Sequence, residues 1–191
     1  MDTQTRREQI YDTAGALFSR RGYAATSVRD IARELDLQGG SLYAHIESKE
    51  DVLWAIVSRA ADQFLATARP LAGGDAPAPA RLRGMIHAHI AVVTGRVERA
   101  TVFLQDWKHL SPARREAIRA RRVEYEGLYR AVIAAGVARG EFAPADPKLA
   151  AMLVLSALNG VHLWYRPGGA LAPDEIADRF ADLLLNGLAA R

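Results

Sequence analysis

Apolar residues recur at helical spacing along almost the whole chain, and no run of alternating β-branched residues bounded by hairpin turns interrupts them. That pattern excludes a sheet-based core and predicts an all-α fold. With 191 residues, half of them hydrophobic, such a chain buries roughly 70% of its unfolded surface and needs no metal or disulfide to hold its core. It contains no Cys, which removes thiol nucleophiles, Cys-ligated zinc and disulfide frameworks and suits a reducing, cytoplasmic setting. The longest apolar run, 149–155, is far shorter than the roughly 20 residues that span a bilayer, and no signal-peptide core follows residues 1–7. No membrane partner is expected. Basic residues exceed acidic ones by three, 25 against 22, which permits a polyanionic partner without demanding one.

Near the N-terminus, Ile10, Ala14, Leu17 and Phe18 form one stripe, closed by Arg20 and Arg21 at the negative helix pole and by Gly22 as a stop. Ser27 with Asp30 then makes a capping-box-like start for a short helix carrying Val28, Ile31, Ala32 and Leu35, broken at Asp36. After a turn over 36–38, a second short helix over 39–45 places Leu42 and Ile46 inward and Gly39, Gly40, Ser41, Tyr43 and Ala44 outward. Two short helices joined by a three-residue turn predict a helix-turn-helix, completing an N-terminal three-helix bundle over 1–47. Ser48 and Asp51 repeat the cap and open a long connector helix over 48–69, the first element of a C-terminal domain spanning 48–191. A Pro/Gly-rich loop occupies 70–79, and helices are expected over 79–94, 96–110, 112–139, 147–165 and 173–188. The segment 147–165 is apolar nearly all round, and Ile176, Phe180, Leu183, Leu184 and Leu188 stripe the last helix. Paired across a two-fold axis, these two segments predict a homodimer.

The stretch 26–56, TSVRDIARELDLQGGSLYAHIESKEDVLWAI, carries Ser41-Leu42-Tyr43-Ala44-His45 followed by Ser48-Lys49-Glu50. It resembles the DNA-binding signature of TetR-family transcriptional regulators, and the resemblance implies double-stranded operator DNA as a partner. In that family the positions of Tyr43 and His45 contact phosphate. Lys49 beside the start of a helix, and Thr26 and Ser27 at another, offer further anion sites. Gly39 and Gly40 each cost roughly 1 kcal/mol of helix propensity against Ala, which suits a helix lying close to a groove floor. Gln38, Gly39, Ser41 and Ala44 are the candidates for base edges, since Gln pairs bidentately with adenine and Ala meets a thymine methyl. Three positions depart from the family pattern: Asp36 stands where Gly is usual, Gln38 where a small hydroxyl is common, and Ile46 where Phe is usual. Residues 1–50 hold seven basic and eight acidic side chains, so placement rather than net charge must make the binding face, with a modest salt slope.

For the C-terminal domain the resemblance implies a small-molecule inducer. Phe103, Trp107, Tyr125, Tyr129, Asn159 and Trp164 are aromatic or amide residues on apolar helices and are candidates to line its pocket, the alternative being ordinary core packing. Arg115, Arg119 and Arg122 share a face at i, i+4, i+7 and either clamp a phosphate, through Arg115 and Arg119 above all, or form a solvated basic face. The segments FLQDWKHL (103–110) and NGVHLWYRPGG (159–169) resemble TetR-type regulators of fatty-acid and related acyl-CoA degradation, which implies an acyl-CoA thioester as inducer of a repressor. A sensor of lipophilic drugs controlling an efflux pump remains an alternative, as does a helical adaptor that binds no DNA. No nucleophile elbow, P-loop or dinucleotide fingerprint is present, and His87 and His89 are spaced to point to different sides of a helix. Neither catalysis nor a cofactor is expected.

Overall fold

The computed structural model describes residues 3–37, 42–143 and 145–188. Among them no β-strand forms. The helices are α1 (Thr3–Arg21), α2 (Val28–Glu34), α3 (Lys49–Ala72), α4 (Ala78–Gly95), α5 (Val97–Gln105), a single 3-10 turn (Trp107–His109), α6 (Pro112–Ala138), α7 (Pro147–Asn159), α8 (Val161–Trp164) and α9 (Pro173–Leu188). The all-α expectation holds.

Three boundaries differ from the sequence reading, each for a local reason. The helix expected over 96–110 ends at Gln105 and tightens into the 3-10 turn, where the His109 amide donates to the Asp106 carbonyl at 2.9 Å. Pro112 disfavours helical backbone in the residue before it. The helix expected over 147–165 breaks at Gly160, whose amide is shared between the carbonyls of Ser156 and Ala157, both at 3.2 Å. The connector helix, in contrast, runs through Pro70 to Ala72. There the Arg81 guanidinium donates to the carbonyls of Leu71, at 3.3 Å, and Ala72, capping the helix end.

The chain gathers into two compact units that are not contiguous in sequence. The first comprises Met1–Ala61 with Glu98–Arg119, the second Asp62–Val97 with Ala120–Arg191. In the first, the stripe of α1 (Ile10, Ala14, Leu17, Phe18) is buried together with Ile31 of α2, Leu53 of α3 and Val102 of α5. Arg99 of α5 ties itself to α1 through Asp12 at 2.6 Å and Glu8 at 3.3 Å. In the second, Leu82, Met85, Ile86 and Ile90 of α4 are fully buried, as are Tyr129 of α6 and Ala181 of α9. On the surface of the second unit, Arg83 pairs with Asp178 and Asp182 of α9, and His87 with Asp178 at 3.0 Å.

The helix ends in the first unit set the geometry of the head. Gly22 has φ +84° and returns its amide to the Phe18 carbonyl at 2.7 Å, a left-handed stop that a side chain resists. α2 ends in a Schellman pattern: the Leu37 amide reaches the Ala32 carbonyl at 2.9 Å and the Asp36 amide the Arg33 carbonyl at 3.2 Å, with Asp36 at φ +52°. Asp36 is the one non-Gly residue at positive φ among the described residues. Because left-handed backbone costs an L-residue roughly 1–2 kcal/mol, less for Asp, Asp36→Gly is expected to stabilise the protein by about 0.5 kcal/mol, after the flexibility that glycine adds to the unfolded chain. A small rise in melting temperature by calorimetry checks it; a fall contradicts the strain assigned to Asp36.

Candidate functional site

The capping box predicted at the start of α2 is complete. The Asp30 amide donates to the Ser27 hydroxyl oxygen at 3.2 Å, the Ser27 amide to the Asp30 carboxylate at 2.9 Å, and the Ser27 hydroxyl to the same carboxylate at 2.5 Å. The Ser27 hydroxyl above all holds the Asp30 carboxyl below its ordinary 3.8. Ser27 itself is exposed. Beyond the turn, Leu42 and Ile46 are buried while Tyr43, 58% exposed, and Ala44 face outward. His45 is half-buried, and its Nδ1 has no hydrogen-bond partner among the described residues. Gln38, Gly39, Gly40 and Ser41 lie outside the described residues.

Two residues expected to meet phosphate make contacts within the chain. Thr26 is only 1% exposed, and its hydroxyl donates to the Gly22 carbonyl at 2.9 Å. It braces the turn. Lys49 sends its ammonium back to the carbonyls of Tyr23 at 3.0 Å and Thr26 at 2.9 Å, and lies 4.1 Å from the centroid of the Tyr23 ring. It staples the start of α3 to the loop after α1. Next to it, Glu50 accepts from the Ser111 amide at 3.0 Å and, at 3.3 Å, from Arg114, which also pairs with Asp51. The Ser111 amide, first, holds Glu50 below its ordinary 4.5, and the Ser48 hydroxyl, first, holds Asp51 below 3.8.

In the second unit the structure brings Tyr125 and Tyr129 together and adds two residues that the sequence reading missed. Tyr129 donates to the Met85 carbonyl at 3.0 Å, the two phenol oxygens are 3.3 Å apart, and the Tyr125 oxygen is 3.0 Å from Nδ1 of His89. The Phe64 ring lies 4.9 Å from His89 and 5.5 Å from Tyr125, edge-on to the latter. The sequence reading places His89 only on a different side of the helix from His87. Its spacing four residues after Met85 and one before Ile90 is the signal that puts it on the buried face. Among the described residues no group of three His, Cys, Asp or Glu side chains is placed to hold a metal ion.

The other ligand candidates fall in both units. Phe103, 6% exposed on α5, and the half-buried Trp107 belong to the first unit, as do Arg115 and Arg119. Both arginines are exposed; Arg115 reaches the Lys108 carbonyl at 3.5 Å and Arg119 pairs with Glu116 at 3.3 Å. Asn159 closes α7 and accepts from the His162 ring through its carbonyl. Trp164 is 46% exposed and stacks on Phe180, so it lies on an outer face and not in an interior lining. In the chain alone, Arg115 and Arg119 form a solvated face. Arg122, in contrast, is half-buried on the α6 face of Tyr125 and Tyr129, and burial lowers its pKa.

Burial also lowers the His89 pKa to about 3, so the ring is neutral in the folded protein. Above 6.5 both folded and unfolded states are neutral there. Below it the unfolded chain takes a proton that the folded chain refuses, so stability is lost as pH falls from 6.5 toward 3, by about 1.4 kcal/mol per pH unit from this group. Denaturant titrations at pH 7.5 and 5 are expected to show that loss, and His89→Phe is expected to flatten it. An equal slope in both proteins contradicts the burial argument.

A capped helix, a left-handed turn and a second helical turn whose outward side chains alternate with buried ones define a helix-turn-helix protein, here joined to an all-helical second unit. The model described as "Bacterial regulatory proteins, tetR family" matches residues 10–56, and that described as "Tetracyclin repressor-like, C-terminal domain" matches 75–188. The chain belongs to the TetR family of bacterial transcriptional regulators. The transcriptional repressor KstR2 of Rhodococcus jostii is 30% identical over 186 residues, 96% of this chain and 91% of that protein. Among solved structures, the ketosteroid transcriptional regulator KstR2 of Mycobacterium tuberculosis superposes with a TM-score of 0.93 at 27% identity, covering 97% of this chain and 96% of the other. AibR in complex with isovaleryl coenzyme A and operator DNA does so with a TM-score of 0.84 at 29% identity, covering 94% and 98%. No helix among the described residues is long and apolar enough to cross a membrane.

Proposed function

We propose that this chain is a homodimeric repressor that holds a palindromic operator through its helix-turn-helix and releases it when the second unit binds a coenzyme A thioester. The observation that carries the reading is the likeness, over nearly the full length of both chains, to a regulator solved with isovaleryl coenzyme A and operator DNA. Tyr43, Ala44, His45 and the exposed Ser27 supply the DNA face, with Gln38 to Ser41 completing it. Tyr43→Phe is expected to weaken operator binding about fivefold, the loss of one phosphate hydrogen bond, with the melting temperature unchanged; an unaltered affinity removes Tyr43 from the interface.

The dimer reading is supported by large apolar side chains left in solvent: Leu149, Met152 and Leu153 on α7, Leu163 and Trp164 on α8 and Leu183 on α9. Apolar groups gathered in this way mark an interaction surface, and a two-fold axis lets one patch cover its own copy. Two heads so related match half-sites about one helical turn apart, roughly 34–36 Å. In the second unit, Phe64, His89, Tyr125 and Tyr129 offer an apolar frame with one polar edge for the acyl part. Arg122, already partly desolvated on the same helix face, gains from an anionic ligand. Selection of bound duplexes from a random pool at moderate salt tests the DNA half of the reading. An enriched palindrome is expected, and the absence of any enrichment from ligand-free protein favours the adaptor reading.

A further inference from the structure

The polar atoms of His89, Tyr125 and Tyr129 form a chain whose direction is set at its far end. Tyr129 has one hydroxyl proton and spends it on the Met85 carbonyl at 3.0 Å. Donation by Tyr125 across the 3.3 Å between the phenol oxygens is the one assignment that makes a hydrogen bond of all three contacts in the chain. In that assignment the Tyr125 oxygen accepts at 3.0 Å from Nδ1 of His89, and the imidazole is assigned the Nδ1–H tautomer. Nε2 is left with a lone pair and no hydrogen. His89 is 1% exposed, and this Nε2 has no hydrogen-bond partner among the described residues. Buried acceptors are paired in the great majority of cases, so an orphan of this kind calls for a donor from outside the chain.

We propose that Nε2 of His89 accepts a hydrogen bond from an N–H or O–H group of the regulatory ligand; this rests on the reading that the second unit binds a coenzyme A thioester. The tyrosine chain is what makes the acceptor specific. It holds the single imidazole proton on Nδ1, so a ligand carbonyl or ether at Nε2 meets a lone pair and is rejected, whereas a donor is matched. Phe64 and Tyr125 pack against the imidazole and restrict its rotation. A thioester offers two sources of such a donor, the amide N–H groups of its pantetheine arm and a hydroxyl on its acyl group.

The test is calorimetric titration of isovaleryl-CoA and 3-hydroxyisovaleryl-CoA into the full chain and into two variants. His89→Asn keeps a polar atom near the Nδ1 position and removes the one at Nε2. His89→Gln restores an amide near the Nε2 position. Loss of about tenfold in affinity in His89→Asn, with most of it recovered in His89→Gln, supports the proposal. If both thioesters bind the wild type alike and lose alike, the donor is the pantetheine amide. If the hydroxylated one binds tighter and loses only that advantage, the donor is the acyl hydroxyl. Unchanged affinity of both thioesters in His89→Asn overturns the proposal, as does an equal loss in both variants, whose ligand-free melting temperatures then report a structural role. Binding of neither thioester by the wild type removes the thioester reading itself, and the proposal with it.

Discussion

Lys49→Met is expected to destabilise the protein by about 2 kcal/mol and to weaken operator binding by more than tenfold. The ammonium is engaged by two carbonyls, Tyr23 and Thr26, and by the face of the Tyr23 ring. Hydrogen bonds to a charged group contribute roughly 1.5–3 kcal/mol and a cation over an aromatic ring about 0.5–1 kcal/mol, less when they share one cation. Methionine keeps the aliphatic stem and leaves both carbonyls to find water. The loop they belong to leads directly into the capping box of α2, so its loosening displaces the helix-turn-helix that precedes Lys49. The prediction separates two roles cleanly. A staple lowers the melting temperature, by roughly 4–8 °C for a chain of this size, and leaves the slope of log affinity against log salt nearly unchanged. A direct phosphate contact leaves the melting temperature alone and reduces that slope by about one.

Gly136→Ala is the second large effect, and it lies in the other unit. A Cβ there stands 2.6 Å from Cε2 of Phe142 and 2.9 Å from Cβ of Ala78. Phe142 is 2% exposed, and it cannot swing away freely because its own amide donates to the Gly136 carbonyl at 3.2 Å and that of Glu141 to the same oxygen at 2.8 Å. Ala78 is also fixed, its amide donating to the Glu141 carboxylate at 2.6 Å. Helix propensity favours alanine over glycine by about 1 kcal/mol, and forced overpacking costs up to about 3 kcal/mol or more. The net expectation is a loss of about 2 kcal/mol in a denaturant titration, with Gly136→Ala/Phe142→Leu recovering part of it. A variant as stable as the wild type, or more so, shows that the packing around Phe142 gives way.

What the sequence disclosed followed the range over which its signals act. The stripe of α1, the Gly22 stop, the two capping signatures and the buried pair Leu42 and Ile46 are local patterns, and the structure has all of them. Asp36, marked as a departure from the family pattern, carries the left-handed backbone that glycine usually carries. The intrachain contacts of Lys49 and Thr26 were not legible, because a cation or a hydroxyl near a helix start reads the same whether it faces phosphate or the chain's own carbonyls. The deciding partners lie 23 to 26 residues from Lys49. The surroundings of the ligand candidates were no more legible, for the same reason. Tyr125 and Tyr129 are one helical turn apart and were legible together. That Phe64 and His89 join them, while Trp164 faces outward, depends on how α3, α4 and α6 pack, which periodicity on one helix cannot report.

The most direct measurement is anisotropy of the selected operator duplex, bound by the full chain, as isovaleryl-CoA is added, with calorimetry of the same thioester in the presence and absence of DNA. Ligand-released repression predicts that operator affinity falls on thioester binding, and that DNA lowers thioester affinity by the same factor, because coupling between two sites is reciprocal. An operator affinity that stays constant while calorimetry shows the thioester bound contradicts it.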